Sequence, residues 1–245
     1  MAVAFDAATS SGLQTVDFTF QHTPVGTPRG ALVGVAQHAS AEQVDDTAYG
    51  AATPTAVTGS PSEFALGEGG TVHLDFLGAS VPTGEQTVAV NETGGSNKAG
   101  FALTVTADAD VVVQDTTVLA GEDGTGDITG TLSLGGNVCF CGVLVWNGAN
   151  AVGGFAPLTG WTDRGEVDLG TECCSLYTYN TVDSADVTFG IAAGANTFDY
   201  NMLGFALTEE AGGAAVTSES RLHSVETGSV AGVAGLHPIE QGWAS

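Results

Sequence analysis

A chain of 245 residues, 43% of them hydrophobic, with 28 acidic and four basic side chains and a formal net charge of -24, is too apolar to be a disordered acidic tail. Its cations, Arg29, Lys98, Arg164 and Arg221, cannot build the basic patch that nucleic acid or an anionic membrane surface requires, so neither is expected as a partner. Carboxylates this numerous repel one another in ordinary salt but are screened at molar salt, where the Debye length is about 3 Å, so the composition points to a folded body working in concentrated brine.

The first residues, Met1 to Ser11, lack the basic start and apolar core of a secretory signal, and no apolar run approaches the ~20 residues of a transmembrane helix. Synthesis in the cytoplasm without general export is expected. From Thr15 to Gln21 the residues alternate, with Val16, Phe18 and Phe20 on one face, as in a half-buried strand. A Pro- and Gly-bounded break follows, and then a strand over Ala31 to His38 whose residues Ala31 to Ala36 are apolar on both faces. This pattern predicts a central strand covered on both sides and a loop that crosses between sheets.

Further strands are predicted over Asp46 to Ala52, Thr71 to Leu77, Gln86 to Asn91, Ala99 to Ala107, Val111 to Val118, Thr129 to Leu134, Val138 to Asn147, Leu176 to Thr181, Ala185 to Ala192 and Met202 to Thr208. They are short, β-branched and separated by Gly, Pro, Asn, Asp and Ser clusters. Val81 to Gly84 reads as a turn in which glycine supplies a positive φ. Asn91 to Lys98, Gly121 to Asp127 and Asn147 to Thr171 read as loops. With no capped helical window, the layer rule predicts an all-β fold, an antiparallel β-sandwich of jelly-roll type over residues 1–208.

Residues 209–245 differ in character. Glu209 to Ala215 is linker-like, and the remainder sets Leu222, Val225, Leu236, Ile239 and Trp243 among Gly and Ala. An extended C-terminal arm that orders on a neighbouring subunit or another protein is the expected arrangement.

Cys139, Cys141, Cys173 and Cys174 are the sharpest local signal. Their spacing does not match the two-residue spacing of zinc hairpins, so a metal is not expected there. Disulfides are expected, with buried reduced thiols as the alternative. Cys139 and Cys141 are at the outer limit for bridging each other and adjacent side chains diverge, so any cross-link is predicted between the two groups. The histidines, His22, His38, His73, His223 and His237, show no metal-ligand spacing, and His22 reads as a corner residue bonded to backbone. No nucleophile motif or cofactor fingerprint is present, and neither catalytic residues nor a cofactor are predicted. The acidic loop at Glu122, Asp123 and Asp127 lacks calcium-loop spacing and reads as solvated.

The segments Ala4-Phe5-Asp6-Ala7-Ala8, Phe20-Gln21-His22-Thr23-Pro24, Arg29 to Val35, Tyr49-Gly50-Ala51, Leu77-Gly78 and Pro82-Thr83-Gly84 resemble those of β-sandwich structural proteins of tailed viruses. The likeness covers about Met1 to Val90, and Ala51 stands where the family has a second glycine. These are packing and turn residues. With the acidic composition, the resemblance implies a structural, non-enzymatic virion component of a haloarchaeal virus. It would be assembled in the host cytoplasm and would oligomerise on the particle with other virion proteins, as capsid decoration, turret or tail fibre. An alternative is a receptor- or glycan-binding module that presents Trp161 at an exposed loop tip to host surface glycans.

Overall fold

The computed structural model describes residues 2–67, 69–148, 156–183, 185–192 and 198–210. Within them the chain forms only strands: β1 (Ala4–Gln14), β2 (Phe18–His22), β3 (Gly30–Gln37), β4 (Val44–Tyr49), β5 (Thr55–Ala56), β6 (Ser62–Phe64), β7 (Gly70–Leu77), β8 (Gln86–Glu92), β9 (Lys98–Thr106), β10 (Val111–Gly124), β11 (Asp127–Leu132), β12 (Cys139–Asn147), β13 (Ala156–Pro157), β14 (Trp161–Asp168), β15 (Cys173–Asp183), β16 (Val187–Ala192) and β17 (Phe198–Glu209). Every pairing among them is antiparallel.

Four sheets result. A six-stranded sheet runs β1-β9-β3-β7-β5, with β6 also paired to β7, and a three-stranded sheet runs β2-β8-β4. The later strands make a five-stranded sheet, β10-β17-β12-β15-β14, and a three-stranded one, β11-β16-β13. The second set repeats the order of the first. β10, β11, β12, β13, β15, β16 and β17 stand where β1, β2, β3, β4, β7, β8 and β9 stand, and β14 pairs with β15 as β5 and β6 pair with β7. The sandwich predicted over residues 1–208 is therefore two sandwiches of like strand order.

Strand alternation sets the layers. In β12, Phe140, Leu144 and Trp146 join a cluster with Leu32, Leu74, Phe101 and Leu103 of the six-stranded sheet. The intervening Cys139, Cys141, Val143 and Val145 join a second cluster with Leu132, Val187, Phe189 and Ile191. On the other side, Ala31, Val33 and Ala102 pack on Tyr49 and Val88, and Val35 on Phe18, Val44 and Val90. The order is three-stranded, six-stranded, five-stranded, three-stranded. β3 and β12 lie inside the two inner sheets, which is why every residue of both is buried. Each large side chain enclosed this way contributes roughly 1.5–3 kcal/mol.

The two sandwiches are also joined by polar contacts. Asn201 of β17, fully buried, donates to the carbonyls of Ser62 (2.7 Å) and Gly70 (3.0 Å) and accepts from Ser62 Oγ (2.8 Å). The Arg164 guanidinium lies 3.6 Å over the Phe5 ring, and Arg29 reaches Asp110 at 3.8 Å. A cation over an aromatic face contributes about 0.5–2 kcal/mol.

Several segments differ from expectation. β1, a long edge strand, is absent from the predicted set because Ala, Thr and Ser give it little alternation, and its residues are half-buried. Val16 is 62% exposed and precedes β2, which starts at Phe18. The loop predicted over Gly121 to Asp127 is strand as far as Gly124, and Asn147 to Thr171 contains β13 and β14. Gly84 has the positive φ of 74° predicted for its turn. Residues 211–245, where the C-terminal arm with Leu222, Val225, Leu236, Ile239 and Trp243 is expected, lie outside the described residues.

Candidate functional site

The cysteines do not meet across the strands. Cys141 of β12 is opposite Tyr179 of β15, whereas Cys173 is opposite Asn147, six residues further along β12. At ~3.4 Å per residue that separation is about 20 Å, far beyond the ~7 Å that a disulfide spans. The predicted cross-link between the two groups is therefore corrected: all four are buried cysteines outside any disulfide. Cys139, Cys141 and Cys173 pack in the core between the five-stranded sheet and its outer cover, while Cys174 faces the other way, between the inner sheets. The Cys174 thiol donates to the Ala36 carbonyl at 3.4 Å and that of Cys173 to Glu166 Oε1 at 3.2 Å. Burial is the first cause that pushes the thiols of Cys139, Cys173 and Cys174 above their ordinary value, and Glu166 adds to it for Cys173. Native protein should react with a thiol reagent many-fold more slowly than unfolded protein, which should titrate four thiols. Rapid modification of native protein would overturn this assignment.

Trp161 is not at an exposed tip. It opens β14 at 7% exposure, packs in the same core as Val187 and Phe189, and its ring lies 5.5 Å from that of Tyr179. Its Nε1 donates to the Thr188 carbonyl at 3.1 Å. Thr162, Asp163, Arg164 and Glu166 carry no apolar alternation, so the sequence predicts a loop here, but an edge strand does not require such alternation. An indole held edge and face inside a sandwich cannot stack on a sugar, and the glycan contact predicted for it is withdrawn.

The polar groups that the fold does gather lie between the two sheets of the first sandwich. His73 and Asp75 are two apart on β7 and so share the face toward β4. His73 Nδ1 lies 3.2 Å from Glu42 Oε2, and its Nε2 lies 2.9 Å from Asp75 Oδ2, an ionic contact rather than an aligned hydrogen bond. Thr47 of β4 donates to the same Asp75 oxygen at 2.5 Å, and Glu42 Oε1 accepts the N–H groups of Gln43 (2.9 Å) and Val44 (2.5 Å). Burial opposes charge on the ring, but the carboxylates of Asp75 and Glu42 outweigh it and raise the pKa to about 9. The imidazolium is thus a cation between two anions that ties β7 to β4.

Because the folded value is raised above the unfolded 6.5, the contribution is complete below pH 6.5 and is lost as pH rises through about 9. It amounts to about 3 kcal/mol. Denaturant melts in molar salt should show His73→Gln destabilised at pH 6, with the gap from wild type closing by pH 10. A gap that is constant with pH would mean that His73 is neutral in the fold.

His22, at 0% exposure, is bonded at both nitrogens, to Thr9 Oγ1 (3.0 Å) and Thr104 Oγ1 (3.2 Å), and Thr104 donates to Asp6 Oδ2 at 2.8 Å. These are side-chain hydroxyls rather than the backbone partners expected of a corner residue. Burial lowers its pKa and the Asp6 charge works the other way. The neutral ring, 5.9 Å from that of Tyr49, links β1, β2 and β9. Neither histidine presents a free nitrogen to a groove. No group of three or more His, Cys, Asp or Glu able to hold a metal occurs among the described residues. An open groove where Thr55 to Thr58 meet Val113 to Thr116 contains one carboxylate, Asp115, which accepts the Ser133 N–H at 2.6 Å.

His73 with Asp75 was missed as a site although its spacing on a strand was visible. Glu42 and Thr47 come from outside that strand and carry no sequence signal of their own. The class that fold and polar groups define is a doubled antiparallel sandwich whose buried polar clusters join strand to strand. In comparisons with protein-family models, with curated proteins and with solved structures, nothing matches the chain.

Proposed function

We propose that this chain is a structural, non-enzymatic component of the particle of a haloarchaeal virus, oligomerising on its surface as capsid decoration, turret or tail fibre. In this reading each half is a jelly roll, a reading supported by β1-β9-β3-β7 facing β2-β8-β4 and by the same order in the later strands. The observation that carries the reading is the placement of the cations. Arg164 is half-buried over Phe5, Lys98 is fully buried, and Arg29 alone of the three is exposed, beside Asp110, so among the described residues the surface carries carboxylates with few basic neighbours. Such a surface suits a body packed at high density in brine, where screening replaces ion pairing. His22 and His73 are enclosed and bonded, which favours a cross-bracing role over turnover.

Mass spectrometry of purified particles tests the proposal. The chain is expected at a high and constant copy number relative to the main capsid protein. Its absence from washed particles, or a trace amount that varies between preparations, would rule the proposal out.

A further inference from the structure

Lys98 is the only lysine in a chain of 245 residues that carries 28 acidic ones. The sequence has dispensed with lysine everywhere a solvated ammonium is ordinarily useful, and the copy it keeps is closed from solvent. Lys98 opens β9, and its Nζ lies directly against Oε2 of Glu92, the last residue of β8, with both side chains at 0% exposure. The connection between them, Thr93 to Asn97, crosses from the three-stranded to the six-stranded sheet and brings the two side chains face to face.

Gln14 and Gln37 stand beside Lys98 on the paired strands, and the surroundings turn apolar further along. Two residues further on the same face of β9, Gly100 leaves no room for a Cβ, which would fall 2.6 Å from Phe18 Cε2. Val90, two residues before Glu92, packs with Phe18, Val35 and Val44. Among the described residues Lys98 Nζ and both Glu92 carboxyl oxygens have no hydrogen-bond partner. A buried ion pair is tolerated when further hydrogen bonds satisfy its remaining donors and acceptors, and this pair has none. Burial lowers the Lys98 pKa to about 8 against the opposing charges of Asp17 and Glu42. Burial thus gives the neutral amine, the nucleophilic form, a larger share than in an exposed lysine.

We propose that Lys98 and Glu92 condense spontaneously in the folded protein to an isopeptide bond. The Nζ lone pair of the neutral amine forms a bond to Cδ of the neutral carboxylic acid. One N–H proton passes to the hydroxyl that departs, the Cδ–O bond breaks, and the products are a secondary amide and one water. No oxidant, reductant or co-reactant is consumed. Asp17, which accepts the Glu92 backbone N–H at 2.8 Å and is itself exposed, is the carboxylate placed to relay the proton. Two groups held in contact in a water-poor site react as though at very high effective concentration. The amide removes both buried charges and staples β8 to β9 by a link that salt does not weaken.

The proposal depends only on the first sandwich, so it stands or falls independently of the virion reading. The test is the intact mass of the full chain, folded in molar salt and then denatured. The expected mass is one water below that of the sequence, with fragmentation placing the loss in a peptide that joins residues 92 and 98. Amine labelling in denaturant should then modify the α-amino group alone. Lys98→Arg and Glu92→Ala should each restore the full mass. A wild-type chain at full mass whose Lys98 takes up the label overturns the proposal, and so does a loss of water that persists in Lys98→Arg.

Discussion

The melting temperature of this protein should climb by roughly 10–20 °C between 0.1 M and 2 M KCl. The net charge of -24 is spread over a body with few cations to offset it: among the described residues Lys98 is enclosed beside Glu92, Arg164 covers Phe5, and the exposed Arg29 faces Asp110. Repulsion among the remaining carboxylates acts over a Debye length of about 10 Å at 0.1 M, and over about 3 Å at 1 M. Relief of several kcal/mol of self-repulsion, at about 2–4 °C per kcal/mol for a domain of this size, gives the stated shift. NaCl should act nearly as well as KCl, because screening depends on ionic strength. Sucrose at matched osmolarity should give only a small rise. A melting temperature that is flat in salt would remove the physical basis for placing the protein in brine.

Trp146→Ala should lower stability by about 3–5 kcal/mol, the usual range for removing a large buried aromatic. Out of a total on the order of 5–15 kcal/mol, that loss would leave the chain marginal. Trp146 is at 0% exposure between the inner sheets, and its indole lies flat on the backbone of Gly70 at the start of β7. A Cβ on Gly70 would fall 2.0 Å from Trp146 Cδ2, a position that only displacement of the ring could clear. Gly70→Ala should therefore cost about 1–3 kcal/mol by overpacking. In the Trp146→Ala background the same substitution should be nearly neutral, since the obstructing ring is gone. Urea melts of the four proteins in molar salt read this directly. Additive losses would mean that the ring does not rest on Gly70, and the packing of the inner sheets described above would be wrong.

Strand alternation was the most readable feature. Ala31 to Ala36, apolar on both faces, correctly marks a strand inside an inner sheet, because only a strand covered on both sides can be apolar throughout, and Val138 to Asn147 was legible as a strand though not as an inner one. The edge strands were invisible for the converse reason. β1 and β14 bury little, so neither Ala4 to Gln14 nor Trp161 to Asp168 carries a pattern that separates strand from loop. Trp161 shows the cost of that ambiguity: an isolated tryptophan among polar residues reads as an exposed tip, yet its direction depends on a pairing with Tyr179 that local sequence does not encode.

Charge, the all-β class and the positions of the buried strands follow from the amino-acid sequence alone, because composition and period two are local properties. Which residues meet is a long-range property, decided only when strands distant in sequence pair. The register of β12 on β15 holds the two cysteine pairs about 20 Å apart and leaves four thiols where cross-links were expected. The crossover between β8 and β9 turns an unremarkable Glu92 and the only lysine into a buried pair. Glu42, Thr47, His73 and Asp75 likewise become one cluster only because β4 lies across β7. The doubled strand order was hidden for the same reason, since a sandwich constrains the alternation of its strands and not their residues. β3 and β12 occupy equivalent places with different sequences.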